Sequence, residues 1–434
     1  MQVKLHTLGV LDSSLISGTF VGGGGINSQE IIIRLAKDFR LIYFPRASVV
    51  HHLTEDKKRN LIANIDKLEK LDIEVSSSFK GLINGYNNFD NYSFKKFRNS
   101  LIAEYADEIR QLDVLYDNDF AVSIFPSPLF KGEMYYLSKF KGKTKFGITI
   151  RGFVDINSNN NMRILLHTFR NEKLNFSPQI KGKYISLLFG PFKQHYISSN
   201  LLRGRKLDFI GFINPGISGL LSLKRSGAEL YNLFPAEASR FKALNSGTKK
   251  RNQAVFFGRL VPEKGIFEIP RIALNLKKMG VDINIKVLGK FTFDHDRHIF
   301  SKLVQKLGVA DIIDYLGFLP EAELSDVIGN SSLFLNPSHS DAYSIAMLEA
   351  LSLNVPVVAY DIPFLYNIYK DVTAVKFVKE YDTKAMAREV AEIMSYGNDK
   401  INELFDSNTT DFISLHSSYD ISADKIKTMI NSEL

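Results

Sequence analysis

Phe257-Gly-Arg-Leu-Val-Pro-Glu-Lys-Gly265 follows the apolar run Ala254 to Phe257 and leads into a helical pattern from Glu263 to Met279, so it reads as a strand-to-helix turn. Open α/β sheets bind ligands beyond the carboxyl ends of their strands, which aims Arg259 and Lys264 at such a crevice. An arginine can hold phosphate oxygens in bidentate fashion and a lysine adds a compact charge, so the two suit a diphosphate. The competing reading is two solvated cations at a strand end.

Outward from this turn the α/β rhythm continues. Strands are predicted at 283–288, around Tyr315, at 333–336 and at 355–360, alternating with helices near 297–307, 321–328, 343–353 and 383–394. Such alternation implies a parallel sheet covered on both faces. Toward the N-terminus, the polar stretch Asn245-Ser-Gly-Thr-Lys-Lys-Arg-Asn252 reads as a linker. Before it come a strand at 3–11, a glycine-rich loop at Gly22 to Gly25, and a helix capped by Asn27 with Ile31, Ile32 and Leu35 on its buried face. Further strands are predicted at 41–44, 114–116, 146–150 and 185–189, and the apolar stretch 209–221 suits a core. A chain of 434 residues is too long for one ordinary hydrophobic core, so two α/β domains are expected.

The second informative stretch is Pro337-Ser-His-Ser-Asp-Ala-Tyr-Ser-Ile-Ala-Met-Leu-Glu-Ala350, again between a strand and a helix. The amides near Tyr343, Ser344 and Ile345 form a helix N-terminus, which attracts phosphate. Glu349 lies seven residues beyond Asp341, among Ala346, Met347, Leu348, Ala350 and Leu351. A carboxylate in so apolar a helix needs a partner, either ribose hydroxyls or a buried salt bridge. His339 adjoins the loop, where contact with a sugar and plain solvation explain it equally; His51, His52, His295 and His298 read as surface residues.

These two segments, about 80 residues apart, resemble the family 4 glycosyltransferases of GT-B fold, whose second domain carries a Gly-Arg…Glu-Lys-Gly segment and a Glu-x7-Glu motif. The resemblance implies two Rossmann-like domains with parallel sheets facing across a deep cleft: residues 1–247 binding acceptor, 252–410 binding donor, and a segment 411–434 that crosses back to the first domain. It implies that Arg259 and Lys264 hold the donor diphosphate, Glu349 the ribose, and Asp341 with the amides of Tyr343, Ser344 and Ile345 the transferred sugar. Gly289, Lys290, Gly317 and Phe318 would lie near the base. Gly23 and Gly24 correspond to the family's glycine loop, where backbone approaches a phosphate or the acceptor; a plain flexible loop is the alternative. Asn118, after Leu112-Asp-Val-Leu-Tyr-Asp-Asn118, stands where the family often has a catalytic His. Two further departures are Asp341 in place of Glu and Ala342-Tyr343-Ser344 in place of Gly-Phe-Gly, and both bear on which sugar fits.

The implied reaction is retaining transfer from a nucleotide diphosphate sugar to a hydroxyl acceptor, with no essential metal or other cofactor. Three alternatives stay open. One is an inactive nucleotide-sugar-binding partner of another transferase, and another is a GT-B epimerase. The last is a metal-dependent GT-A-like enzyme using Asp117 and Asp119, a three-residue match to a metal-binding Asp-x-Asp.

Charge adds a hint about the acceptor. Residues 1–245 hold 34 Lys+Arg against 22 Asp+Glu, and the remainder 21 against 25. The excess concentrates in 131–206, with 15 basic and three acidic residues interleaved with aromatics such as Tyr135, Tyr136 and Phe140. This region suits an anionic membrane or a lipid-linked, phosphorylated glycan, or else a solvated face. Nucleic acid is disfavoured, because no recognised binding motif accompanies the charge. No cysteine is present, which excludes disulfides and thiolate chemistry and fits a reducing compartment. The start shows no signal-peptide pattern, and no run reaches the roughly 18 apolar residues of a membrane span. These readings place the protein in the cytoplasm, peripheral on the inner face of the cell membrane.

Overall fold

The computed structural model describes residues 7–11, 15–16, 23–45, 55–85, 120–123, 145–150, 208–217, 228–235, 237–242 and 250–433. They fall into two compact units, the first lying within 1–156, 189–237 and 419–434 and the second within 238–418.

In the first unit seven strands form one parallel sheet in the order β3-β2-β1-β4-β5-β6-β7. They are β1 (Thr7–Leu11), β2 (Arg40–Phe44), β3 (Ile73–Val75), β4 (Phe120–Ser123), β5 (Lys145–Ile150), β6 (Phe209–Phe212) and β7 (Glu229–Asn232). Three helices interleave with the first strands: α1 (Gly23–Asp38), α2 (Glu55–Lys70) and α3 (Ser77–Gly85). Strands buried on both faces read as apolar runs, and all four residues of β6 are buried, which is why 209–212 shows no alternation.

Several expectations shift here. Gly23 and Gly24 belong to the first turn of α1 and not to a loop, and Asn27 is a buried residue inside that helix instead of its cap. Glycine costs a helix only about 0.5–1 kcal/mol relative to alanine, so a run of four does not fix where the turn ends. The strand beside β1 is β4, beginning at Phe120; residues 112–118, with Asp117 and Asn118, lie outside the described residues and precede β4 in the chain. Asp119, the strand predicted at 185–189 and nearly all of the basic stretch 131–206 are likewise outside them.

The second unit repeats the architecture more regularly, with strand order β10-β9-β8-β11-β12-β13, all parallel. The strands are β8 (Lys250–Phe257), β9 (Asn284–Leu288), β10 (Ile313–Gly317), β11 (Ser331–Asn336), β12 (Val357–Tyr360) and β13 (Val375–Val378). The helices are α4 (Ile269–Lys278), α5 (Asp294–Lys306), α6 (Glu321–Gly329), α7 (Ile345–Ser352), α8 (Pro363–Tyr369), α9 (Thr383–Met394), α10 (Asn398–Leu404) and α11 (Ser407–Leu415). β8 starts at Lys250, so the end of the expected linker is strand: its charged residues occupy the outer end of a strand whose buried part starts at Gln253. α4 buries Ile269, Ile272, Ala273 and Leu276, the i, i+3, i+4, i+7 stripe of an amphipathic helix, and packs against α9, which buries Met386, Ala387, Val390 and Ile393. Asp382 caps α9 by accepting from the Ala385 amide at 2.8 Å.

The chain then returns to the first unit. Helix α12 (Tyr419–Ser432) buries Ala423, Ile426, Met429 and Ile430 and packs on α1. Arg34 on α1 binds Asp420 at 2.6 Å, and Lys427 binds Asp38 at 2.6 Å. Among the described residues no helix is long and apolar enough to cross a membrane.

Candidate functional site: two loops at the centre of the second sheet

The order β10-β9-β8-β11-β12-β13 reverses direction between β8 and β11, so the loops leaving their carboxyl ends run to opposite faces and leave a crevice. Both motifs singled out in the sequence are these loops. The first continues from β8 through Gly258 and Arg259 to a 3-10 turn, Pro262–Lys264, ended by Gly265 in the left-handed region at φ 75°. The second runs from Pro337 to Ser344 and enters α7.

Backbone geometry stitches the two together. The Glu263 carbonyl accepts from the His339 and Ser340 amides at 3.0 and 3.2 Å and from the Ser338 hydroxyl at 3.2 Å. Gly265 lies so close to Pro337 that a Cβ there would sit 1.9 Å from the Pro337 carbonyl oxygen. That approach brings Lys264 to Asp341: Nζ donates to Oδ2 at 2.6 Å and to the Ser340 carbonyl at 3.4 Å. The other oxygen of Asp341 accepts the Ser344 amide at 3.0 Å, at the entrance to α7. Ser344 itself adopts φ 55°, an unusual conformation for a residue with a side chain, and it is held there from several sides. Its carbonyl accepts from the Tyr369 hydroxyl at 3.2 Å and the Met347 amide at 2.9 Å, and its hydroxyl meets Asn336 at 3.4 Å.

Tyr343 does not present its ring to the crevice. The ring is buried and its hydroxyl donates to His416 Nε2, while His416 Nδ1–H donates to the Phe412 carbonyl at 2.7 Å. Burial pushes His416 down to about 4, so it stays neutral and can accept from the tyrosine. The bulky residue in the loop is therefore an anchor. Ile345 is the first residue of α7 and half-buried.

Arg259 is exposed, and its side chain makes no ion pair or hydrogen bond with a described residue. On the other side of β8, the loops after β9 and β10 close up. The Gly289 amide donates to Gly317 at 2.7 Å and the Tyr315 hydroxyl to the Gly289 carbonyl at 3.3 Å. Gly289 has φ 132°, and a Cβ there would meet the Gly258 carbonyl oxygen at 1.9 Å, so only glycine permits this junction. Phe318, just beyond, is 56% exposed.

Glu349 is buried on α7, and its Oε1 accepts from Arg240 Nε at 2.6 Å. Of the two readings of this carboxylate, a buried ion pair is therefore present. Burial raises its pKa and Arg240 opposes that rise. No local signal in the sequence pointed to Arg240, which lies 109 residues away.

His339 is neither solvated nor turned to a sugar. It is 3% exposed, stacked 4.3 Å from the Tyr381 ring, with Nδ1 3.0 Å from Glu380 and Nε2 3.8 Å from Glu268. Burial alone would favour the neutral ring, but hydrogen bonding and attraction to Glu268 and Glu380 prevail and raise its pKa. A pKa higher in the folded than in the unfolded state contributes stability that is complete below the unfolded value and fades as pH rises through the folded one. Accordingly, the unfolding free energy should decline as pH rises above the ordinary histidine value near 6.5, and His339→Gln should remove that part of the slope in urea titrations across pH 6 to 9. An unchanged slope in the variant would assign it elsewhere.

This is the architecture of a GT-B protein: doubly wound parallel α/β units, with glycine-punctuated loops converging at the switch point of the second. Comparison with known proteins places it further. Residues 239–410, about two fifths of the chain, match the family described as glycosyl transferases group 1. An alpha-D-kanosaminyltransferase of Streptomyces kanamyceticus is 25% identical over 148 residues, 34% of this chain and 38% of that protein, so the chain matches well under half of this relative's length. Two solved structures share the fold along nearly the whole chain. Sucrose-phosphate synthase from Thermosynechococcus elongatus gives a TM-score of 0.66 at 11% identity, covering 98% of both chains. HepE of Anabaena, solved in complex with UDP and glucose, gives 0.58 at 12% identity, covering 98% of this chain and 99% of its own.

Proposed function

We propose that this protein is a glycosyltransferase that takes a sugar from a nucleoside diphosphate sugar and transfers it, with retention, to a hydroxyl of a glycan acceptor. One observation carries the reading: Lys264, from the loop after β8, and the N-terminus of α7, from the loop after β11, meet at Asp341 over the carboxyl ends of adjacent central strands. An ammonium group and helix amides converging at a switch point form an anion site. The family match to 239–410 and the UDP and glucose held by the structurally similar HepE support a nucleotide-sugar as the anion.

In this proposal Lys264 and the exposed Arg259 hold the diphosphate, and Glu349 takes the ribose. Phe318 flanks the base, with Gly289 giving the close turn beside it. Asp341 faces the transferred sugar together with the amides of Ser344 and Ile345. Charge on the departing diphosphate is balanced by Lys264, Arg259 and the helix N-terminus, so the chemistry needs no metal ion. The basic composition of 131–206 suits an acceptor carrying phosphate, or its lipid-bearing membrane surface.

A thermal-shift panel of UDP, GDP, ADP and TDP and their glucose conjugates, with and without EDTA, tests this. A ligand at about 100 times its dissociation constant stabilises by about 2.7 kcal/mol, a readily measured shift. One nucleotide family should stabilise the wild type in the presence of EDTA, and Lys264→Ala should lose most of that increment. Stabilisation that requires a divalent ion and survives Lys264→Ala would contradict the proposal.

A further inference from the structure

A carboxylate as deeply buried as Glu349 needs a partner that orients it if it is to meet a ligand. Its side chain is 4% exposed, and its neighbours Met347, Leu348, Ala350 and Leu351 on α7 are buried and apolar. The charged groups that face it are Arg240, 2.6 Å from Oε1, and, across that guanidinium, Glu321 at the start of α6, 3.4 Å from Arg240. Oε2 of Glu349 accepts no hydrogen bond from a described residue and is not sealed from solvent. The carboxylate thus has one oxygen committed and one open.

The backbone that carries Arg240 is itself fixed. The Ser239 amide donates to the His416 carbonyl at 3.0 Å, and the Ser239 hydroxyl donates to the Phe241 carbonyl at 2.9 Å. The guanidinium lies over the Phe241 ring at 4.7 Å. His416 in turn holds Tyr343 of the loop after β11, so Arg240 and that loop are tied to the same residue of the C-terminal helices.

We propose that Arg240 is a positioning residue for the nucleotide subsite: by holding Oε1 of Glu349 it fixes the carboxylate's orientation and leaves Oε2 to the ribose hydroxyls of the donor. The inference rests on the reading of Glu349 as the ribose contact. It makes the segment just after the start of the second unit part of nucleotide recognition, at a position outside both sequence motifs.

The test compares wild type, Arg240→Ala, Glu349→Gln and the double variant by calorimetric binding of three probes. These are the nucleoside diphosphate that the wild type binds among UDP, GDP, ADP and TDP, its 2′,3′-dideoxy form, and inorganic pyrophosphate. A charge-assisted hydrogen bond corresponds to roughly tenfold or more in affinity, so the wild type should prefer the ribose form by about that factor. Arg240→Ala should lose most of that preference. Pyrophosphate, which has no ribose, should bind the variant within about twofold of wild type, and the double variant should lose no more discrimination than Glu349→Gln alone. An Arg240→Ala protein that keeps the wild-type preference, or that loses pyrophosphate binding together with it, overturns the role assigned to Arg240 while the donor reading stands. A wild type that binds no nucleotide, or does not distinguish ribose from dideoxyribose, overturns the reading of Glu349 itself.

Discussion

Gly265→Ala is expected to destabilise the second unit by roughly 3 kcal/mol and to abolish nucleotide-induced stabilisation with it. Two costs add. A side chain in the left-handed region costs about 1 to 2 kcal/mol, and forcing atoms into a close-packed contact costs about 1 to 3 kcal/mol more. Here the contact is the 1.9 Å approach to the Pro337 carbonyl oxygen, which is backbone and cannot rotate aside. Relief requires the loops after β8 and β11 to part, and that parting breaks the Lys264 to Asp341 pair and the bonds to the Glu263 carbonyl. Gly280→Ala is the natural control, since Gly280 has φ 69° but nothing within 4 Å of the added carbon. It should show only the first cost. Urea titrations giving the two variants equal losses would show that the loop contact carries no strain.

Arg240→Ala should cost about 3 kcal/mol near neutral pH, because removing one partner of a buried pair leaves an uncompensated charge. The usual range for such a loss is about 3 to 5 kcal/mol, and the lower end applies because the Arg240 side chain is 21% exposed. The pH dependence has a definite sign. Burial raises the Glu349 pKa above its unfolded value, so this group's contribution is favourable below that value and fades as pH rises through the folded one. Arg240 limits the fading in the wild type. Without it the folded pKa rises further, so the deficit should shrink as pH falls and grow as pH rises. Adding Glu349→Gln to the variant should recover most of the loss, since no buried charge remains. A deficit of the same size at pH 5 and pH 8 would show that Arg240 acts through packing alone.

The second unit was largely legible because its elements are locally consistent. Strands buried on both faces give apolar runs, and α9, predicted over 383–394, forms over Thr383–Met394. Four short elements carry no such signal: α8 (Pro363–Tyr369), β13 (Val375–Val378), α10 (Asn398–Leu404) and α11 (Ser407–Leu415) span four to nine residues, too few for a period to show. The first unit was less legible for a related reason. Its glycine run is compatible with loop and helix alike, and the strand predicted at 114–116 lies outside the described residues. Within the site, Lys264, Asp341 and Ser344 are brought together, and Glu349 is buried as its apolar neighbours suggested. The burial of His339 is not legible, because nothing near it in the sequence indicates that Glu268 and Glu380 converge on its ring.

By itself the sequence determined the α/β class, the alternation of the second unit and the two loops that carry its polar chemistry. These depend on periodicity and on residue types at short spacing, which the chain displays without folding. Only the tertiary structure decided which charges meet. The order β10-β9-β8-β11 sets Lys264 beside Asp341, 77 residues apart, and the packing of α7 sets Glu349 against Arg240, 109 residues apart. Such pairings follow from sheet order and from burial, which forces a charge to find its partner wherever the fold supplies one.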